Sequence, residues 1–303
     1  MTQPDYSTTR TLVSVKPVCF DSCPEGLTTL LKTPDDEQKI AEGGLRLKGL
    51  YKSSSEDKPL VTVVTVVYNG AEFLEDTIKS VIGQTYDNVE YIIVDGGSTD
   101  GTLDIIQRYE DAIDYWVSEP DKGIYDAMNK GIDLGSGCWL NFMNAGDMFF
   151  SAEVLCHIFT GSNYSSCTVL YGSTEVRYGN YCRISKAGEC SDLKKGSKFC
   201  HQSAIINLKY HKVNKYSLMF KIASDFNFFY KAFLSERDFC MLGVIVSSVT
   251  AGGISDEKRI ESLLEQWIVV GSSSVACAYF IKRIISEMLK RFVRKAYNGV
   301  RSL

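Results

Sequence analysis

The run LVTVVTVVYN at 60–69 shows no polar alternation, the pattern of a strand buried on both faces of a parallel sheet. AEFLEDTIKSVIGQ follows with apolar residues at helical spacing, and the unit then recurs. VEYIIVD predicts a strand, DGTLDIIQRY a helix, IDYWVS a strand, GIYDAMNKGIDLG a helix and CWLNFMN a fourth strand. This βαβα alternation predicts an α/β fold: a doubly wound, mostly parallel open sheet with helices on both faces and right-handed crossovers. After about residue 165 the strands shorten to VLYGSTEVRYG, YCRIS and HQSAIIN; SDFNFFYKAFL then reads as a helix, MLGVIVSSVT as a strand, and the remainder as mainly helical.

Ligands of doubly wound sheets bind beyond the carboxyl ends of the strands, which directs attention to the residues that follow each one. These are Tyr68 and Asn69, then Asp95 with GGSTDGT, then Glu119, Asp121 and Lys122, and finally Asn144, Gly146 and Asp147. The small residues of GGSTDGT, placed before a helix, admit a ligand to the backbone and offer hydroxyls and amides to phosphate or ribose. A well-capped βα turn would read the same way. No GxGxxG follows the first strand and no GxxxxGK[ST] occurs, so the dinucleotide and P-loop readings lose their physical basis.

Composition narrows the picture further. A chain of 303 residues with 45% hydrophobic and 23% charged residues is that of a folded globular protein. Its net charge of -4 gives no general electrostatic case for a nucleic-acid partner. The first residues lack the basic start and apolar core of a signal peptide, so a cytoplasmic location is expected. Ten cysteines scattered without a Cys-x-x-Cys pair are expected as reduced, packed thiols, with Cys19 and Cys23 the one close pair.

Residues 1–58, broken by Pro4, Pro17, Pro24 and Pro34 and ending in SSSEDK, read as an N-terminal extension and linker. At the other end, apolar pairs from Phe280 to Val293 alternate with Lys282, Arg283, Lys290, Arg291, Arg294 and Lys295. That is an amphipathic basic helix, suited either to packing with a solvated basic face or to lying on the inner face of an anionic membrane. No apolar run reaches the roughly 20 residues that a spanning helix needs.

VTVVTVVYN, IIVDGGSTDGT, SEPDKGIYDAMNKGI and FMNAGD, in this order and spacing, resemble the family 2 glycosyltransferases. The likeness is narrower to bacterial enzymes of colanic acid, O-antigen and other surface polysaccharides. It is strong over 59–150 and continues through HQS, ASDF and AGGIS to about 255. The resemblance implies a GT-A fold over 59–255, with a nucleotide-sugar-binding half at 59–150, an acceptor-binding half at 151–255, and the basic helical tail at 256–303.

It further implies a divalent cation, Mn2+ or Mg2+, held by Asp147 against the donor diphosphate. The motif here reads Asn144-Ala145-Gly146-Asp147, with one carboxylate. By the same resemblance Asp95 and Tyr68 meet the uracil and ribose end of the nucleotide; Lys122 approaches the diphosphate as a cation, and Asp126, on the helix after SEPDKG, is a further nucleotide-sugar-binding candidate. His201 contacts the diphosphate or the metal, and Asp225 is the general base. An inverting transfer needs that base across the donor from the metal. The reaction expected is transfer of one hexose, glucose or galactose, from a UDP-sugar to a polyprenyl-diphosphate-linked saccharide. Transfer of an N-acetylhexosamine and a degenerate nucleotide-sugar-binding module without turnover are the alternatives. Processive members resemble one another in membrane helices and a QxxRW motif, of which only EQW at 265–267 occurs here, so a single transfer is expected.

Overall fold

The structure, a computed structural model, describes residues 5–17, 29–271 and 273–301. Cys19 and Cys23 lie outside the described residues. Strand β1 (Ala41–Gly43) is short, whereas β2 (Val61–Val67) is buried at every position. Two threonines in that run are tolerated because their hydroxyls are satisfied internally. Thr62 donates to Glu90 Oε2 at 2.6 Å and Thr65 to the Met143 carbonyl at 2.7 Å.

Helix α1 (Leu74–Ile82) leads to β3 (Val89–Asp95), α2 (Thr102–Arg108) to β4 (Tyr115–Ser118), and α3 (Ile124–Leu134) to β5 (Trp139–Phe142). All four strands pair in parallel, in the order β4-β3-β2-β5. Alternate residues feed two cores, as the pleat requires. Tyr91 and Ile93 face one core with Leu74, Ile78 and Ile106; Ile92 and Val94 face the other with Met128 and Ile132. Helix α3 approaches β2 so closely that a Cβ on Gly131 would stand 2.5 Å from a Val64 methyl, which only glycine avoids.

The second half mixes directions. It comprises β6 (Met148–Phe149), α4 (Val154–Phe159), β7 (Val169–Tyr178), β8 (Tyr181–Ser185), β9 (Ala204–Asn207), α5 (Leu208–Val213), α6 (Ser224–Leu234) and β10 (Phe239–Thr250). The sheet runs β1-β4-β3-β2-β5-β9-β7-β10-β6, with β8 hung on β7. Strand β9 is antiparallel to both neighbours, so its start lies beside the carboxyl end of β5. Cys167 and Cys240, which open the parallel neighbours β7 and β10, are joined as a disulfide, contrary to the expectation of unpaired thiols. Their 73-residue separation hides the pairing from the sequence.

The tail is helical, as expected: α7 (Ile254–Glu257), α8 (Arg259–Val270) and α9 (Ser274–Arg301). Ala276 and Phe280 of α9 are buried against Leu263 and Trp267 of α8.

Part of the expected N-terminal extension is built into the sheet. β1 pairs antiparallel with β4, while the serines of SSSEDK form an exposed loop. Arg46 reaches Glu90 Oε1 at 2.6 Å, both side chains being about 1% exposed. Burial pushes the Glu90 carboxyl up, but Arg46, Ser136 and Thr62 outweigh it and leave the group below its ordinary value. Proline-broken segments carry no period, which is why this docking is not apparent from the sequence.

Removing one partner of a buried ion pair strands the other charge. Arg46→Ala is therefore expected to lower the stability of the whole chain by about 3–5 kcal/mol, read as a shift in the urea midpoint. A midpoint unchanged from that of the parent would show that residues 29–58 are not part of the cooperative unit.

Candidate active site

The parallel register brings the strand ends level: Val67 pairs with Asp95, and Asp95 with Ser118. Tyr68, Gly96 and Glu119 thus open three loops side by side. Strand order reverses between β2 and β5, and the turn Asn144–Asp147 rises across that switch point.

On the β2–β4 side, Asp95 is fully buried. Its carboxylate accepts from the Ser98 amide at 3.0 Å, from the Ser98 hydroxyl, and from the Ser118 hydroxyl at 2.6 Å. The loop is also laced to the end of β2. The Asn69 amide donates to Ser98 Oγ at 2.7 Å, the Thr99 amide to Asn69 Oδ1 at 2.9 Å, and the Ala71 amide to Asp100 Oδ2 at 3.1 Å. Tyr68 stands over this framework, 67% exposed. A Cβ on Gly96 would lie 2.5 Å from Asp121 Oδ2 and 3.4 Å from the Tyr68 ring, so the Asp121 carboxylate occupies the space that glycine leaves.

Lys122 is exposed in the loop before α3. Asp126 closes that loop by accepting from the Lys122 amide at 3.0 Å, with Lys130 Nζ 4.0 Å away. Asn129 is held on the Tyr216 backbone by two hydrogen bonds of 2.9 Å.

Across the switch point the structure gathers Asn144, Asp147, His201 and Asp225. His201 and Gln202 share one 3-10 turn, His201–Ser203, which precedes β9. Asn141 of β5 anchors that turn by donating to the Gln202 and Ala204 carbonyls at 3.0 and 2.9 Å. Gln202 Nε2 donates to Asp147 Oδ2 at 2.6 Å, and His201 Nδ1 lies 3.3 Å from Asp225 Oδ2. His201 Nε2 is 3.2 Å from the Asn144 amide nitrogen. The two carboxylates are therefore bridged by adjacent residues of one short turn.

Asp225 lies in the first turn of α6 but makes no capping bond. Its other oxygen meets the Tyr125 hydroxyl at 3.1 Å, and that hydroxyl also reaches the Ile222 carbonyl at 2.7 Å. Asp147 is not a helix cap either, since α4 begins only at Val154. Gly146 before it holds φ +96, the left-handed turn that brings the carboxylate round. Burial pushes the Asp147 carboxyl up, against the pull of Gln202, His201 and Arg177. His211 is a core residue, fully buried and lowered by desolvation to about 4.

No three His, Cys, Asp or Glu groups converge as a metal cluster among the described residues. The donors at hand are nonetheless hard and oxygen-rich. Asp147 has one oxygen not engaged by Gln202, and Asn144 Oδ1 is buried without a hydrogen-bond partner. One carboxylate with a neighbouring amide oxygen fits a Mg2+ or Mn2+ whose remaining ligands come from substrate phosphates and water.

Three contributors escape sequence reasoning: Gln202, Tyr125 and Glu265. Each lies within a stretch already marked, respectively HQS, IYDAMN and EQW, but was given no role there. Glu265 of α8 accepts from the consecutive amides of Lys221, Ile222 and Ala223 at 3.0, 2.9 and 2.8 Å. It thereby holds the segment that delivers Asp225.

A family model described as "Glycosyl transferase family 2" matches residues 62–224. A Mycobacterium bovis "PGL/p-HBAD biosynthesis glycosyltransferase" is 30% identical over 181 residues, which are 58% of this chain and 70% of that protein. The "Putative teichuronic acid biosynthesis glycosyltransferase TuaG" of Bacillus subtilis is 41% identical over 93 residues, 30% of this chain and 37% of its own. Among solved structures, Staphylococcus aureus TarS 1-349 in complex with UDP aligns over 77% of this chain and 71% of its own, with TM-score 0.55 and 20% identity. The mannosyltransferase PcManGT of Pyrobaculum calidifontis, in complex with GDP-Man and Mn2+, aligns over 77% and 72%, with TM-score 0.55 and 16% identity. At these identities the likeness is one of fold.

Hydrogen bonds to a charged acceptor contribute about 1.5–3 kcal/mol. Glu265→Ala is expected to raise hydrogen-exchange rates at the amides of residues 221–223 by roughly tenfold or more, leaving β2–β5 protected. Unchanged protection of these amides would refute the anchoring role.

Proposed function

The chain belongs to glycosyl transferase family 2, and on that footing we propose that it moves a single hexose, glucose or galactose, from a UDP-sugar to an acceptor hydroxyl with inversion. The observation that carries this reading is the His201–Gln202 turn, which ties Asp147 at 2.6 Å on one side and Asp225 at 3.3 Å on the other. One side is suited to the leaving diphosphate and the other to the acceptor.

The nucleotide lies over the β2–β4 ends, its base against Tyr68 and Asp121 and its ribose over the loop that Asp95 orders. Lys122 extends toward the diphosphate, and Asp126 fixes the backbone from which it does so. Asp147 with Asn144 would hold a divalent cation, Mn2+ or Mg2+, which would supply positive charge to the departing nucleoside diphosphate. Asp225 takes the proton of the acceptor hydroxyl as that oxygen attacks the anomeric carbon from the face opposite the leaving group. His201 and Tyr125 each hold one oxygen of Asp225, fixing the carboxylate's plane.

The PGL/p-HBAD and teichuronic acid relatives support a place in surface-glycan synthesis, and the TarS and PcManGT complexes support a nucleotide-sugar donor and a divalent cation. TarS is also known in complex with UDP-GlcNAc, which favours N-acetylhexosamine as the second donor reading. The acceptor we propose is a saccharide on a polyprenyl diphosphate, met at the cytoplasmic face of a membrane. Supporting this, Ile281, Ile285, Met288, Leu289, Phe292 and Val293 form an exposed apolar stripe on α9, beside Lys282 and Lys290. Such a helix seats in an anionic interface. No helix among the described residues is long and apolar enough to cross a membrane.

Purified protein with Mn2+, a panel of UDP-sugars and a lipid-diphosphate-linked saccharide should transfer from one donor. Asp147→Ala, Asp225→Asn and EDTA should each cut kcat/KM by about 100-fold or more. Calorimetric binding of UDP-sugar without turnover on any acceptor would point instead to a non-catalytic binding module. For the membrane contact, co-sedimentation with vesicles containing anionic lipid should exceed that with neutral vesicles and should fall when Leu289 and Phe292 are both changed to Ser. Equal sedimentation with the two lipid compositions would refute it.

A further inference from the structure

A cavity of about 220 Å³ opens on the α1 side of the Asn144–Asp147 turn, apart from the groups assigned above to the nucleotide and to the acceptor hydroxyl. Its lining is Phe73, Asp76, Gly146, Met148, Arg177 and Thr250, drawn from α1 and its approach, the turn itself, β6, and the carboxyl ends of β7 and β10. The volume suits one pyranose ring and is too small for a nucleotide.

The chemistry of the lining suits a sugar as well. Phe73 is 49% exposed although it borders a concave surface, so an aromatic ring is available to the C–H face of a pyranose. Asp76 is exposed and its carboxylate makes no hydrogen bond among the described residues, its charge being felt by Lys79. An ionised carboxylate only accepts hydrogen bonds and a guanidinium only donates them, whereas a sugar hydroxyl does both. Arg177 spends one nitrogen on the Gly146 carbonyl at 2.8 Å and on Thr250 Oγ1 at 2.9 Å. Its other guanidinium nitrogens make no hydrogen bond among the described residues. An aromatic face, a free carboxylate and a partly free guanidinium around a ring-sized space are a combination that selects neutral polyols over lipids or peptides.

Position adds to this. Arg177 and Thr250 both grip the carbonyl of Gly146, and the carboxylate of its neighbour Asp147, bonded to Gln202, also feels the Arg177 charge. A ring held here sits one turn of backbone from the proposed reaction centre.

We propose that this cavity is a carbohydrate subsite that binds a pyranose ring of the acceptor saccharide, with Phe73 beneath the ring and Asp76 and Arg177 on its hydroxyls. The assignment rests on the glycosyl-transfer reading above for the word acceptor, but binding of the ring does not require turnover. The test therefore uses binding alone. Saturation-transfer NMR is run on the full chain with methyl glycosides of glucose, galactose, N-acetylglucosamine and rhamnose, and UDP binding is measured in parallel by calorimetry.

At least one glycoside should show saturation transfer, and its affinity should fall about tenfold in both Phe73→Ala and Asp76→Asn, with UDP affinity unchanged. Both side chains are exposed, so the variants fold, and matching thermal melts verify it. Absence of transfer to all four glycosides, or affinities that neither variant changes, would overturn the subsite. Loss of UDP binding by the parent chain with glycoside binding intact would overturn the donor reading and leave the sugar cavity standing.

Discussion

A parallel strand buried on both faces can hold a polar side chain only at its ends or where another buried group satisfies it, and that constraint organises this molecule. β2 and β3 bury every residue, and the polar groups inside them are satisfied within the sheet, as Thr62 is by Glu90 and Thr65 by the Met143 carbonyl. Level register then delivers Tyr68, Asp95 and Ser118 to one edge. The chemistry follows from the packing: what the core rejects becomes the rim of a cleft. Even Asp95, a carboxylate with no exposure at the end of β3, is spent on ordering the loop that follows it.

The second wall of the cleft has a different origin. β9 enters antiparallel beside β5, which sets the His201–Ser203 turn at the very edge where the parallel strands end. A parallel strand at that place would start from the opposite edge and carry the turn away. The mixed direction of the second half is thus what lets one turn touch both Asp147 and Asp225. Asn141, a polar residue buried in β5, serves that joint by holding the carbonyls of Gln202 and Ala204.

How much of this was legible in the sequence depended on range. Every element of the βαβα series was readable because its signal is local: VEYIIVD became β3 residue for residue, and SDFNFFYKAFL became α6. β1, β6, α4 and α5 were missed; each has six residues or fewer, too short for a period to declare itself. Asp147, His201 and Asp225 were nameable by resemblance to a family, but their partners were not. Gln202 meets Asp147 across 55 residues and Tyr125 meets Asp225 across 100, and no spacing rule spans such distances. The Arg46–Glu90 pair and the Cys167–Cys240 bond were hidden for the same reason.

Glu265 carries a consequence for how such a chain is inherited. The family match ends at residue 224, yet three amides just before that point are held by a carboxylate 40 residues further on. The stretch that defines kinship is therefore not the stretch that completes the fold. A chimera that grafts a foreign tail onto this catalytic half would have to bring its own acceptor for those amides.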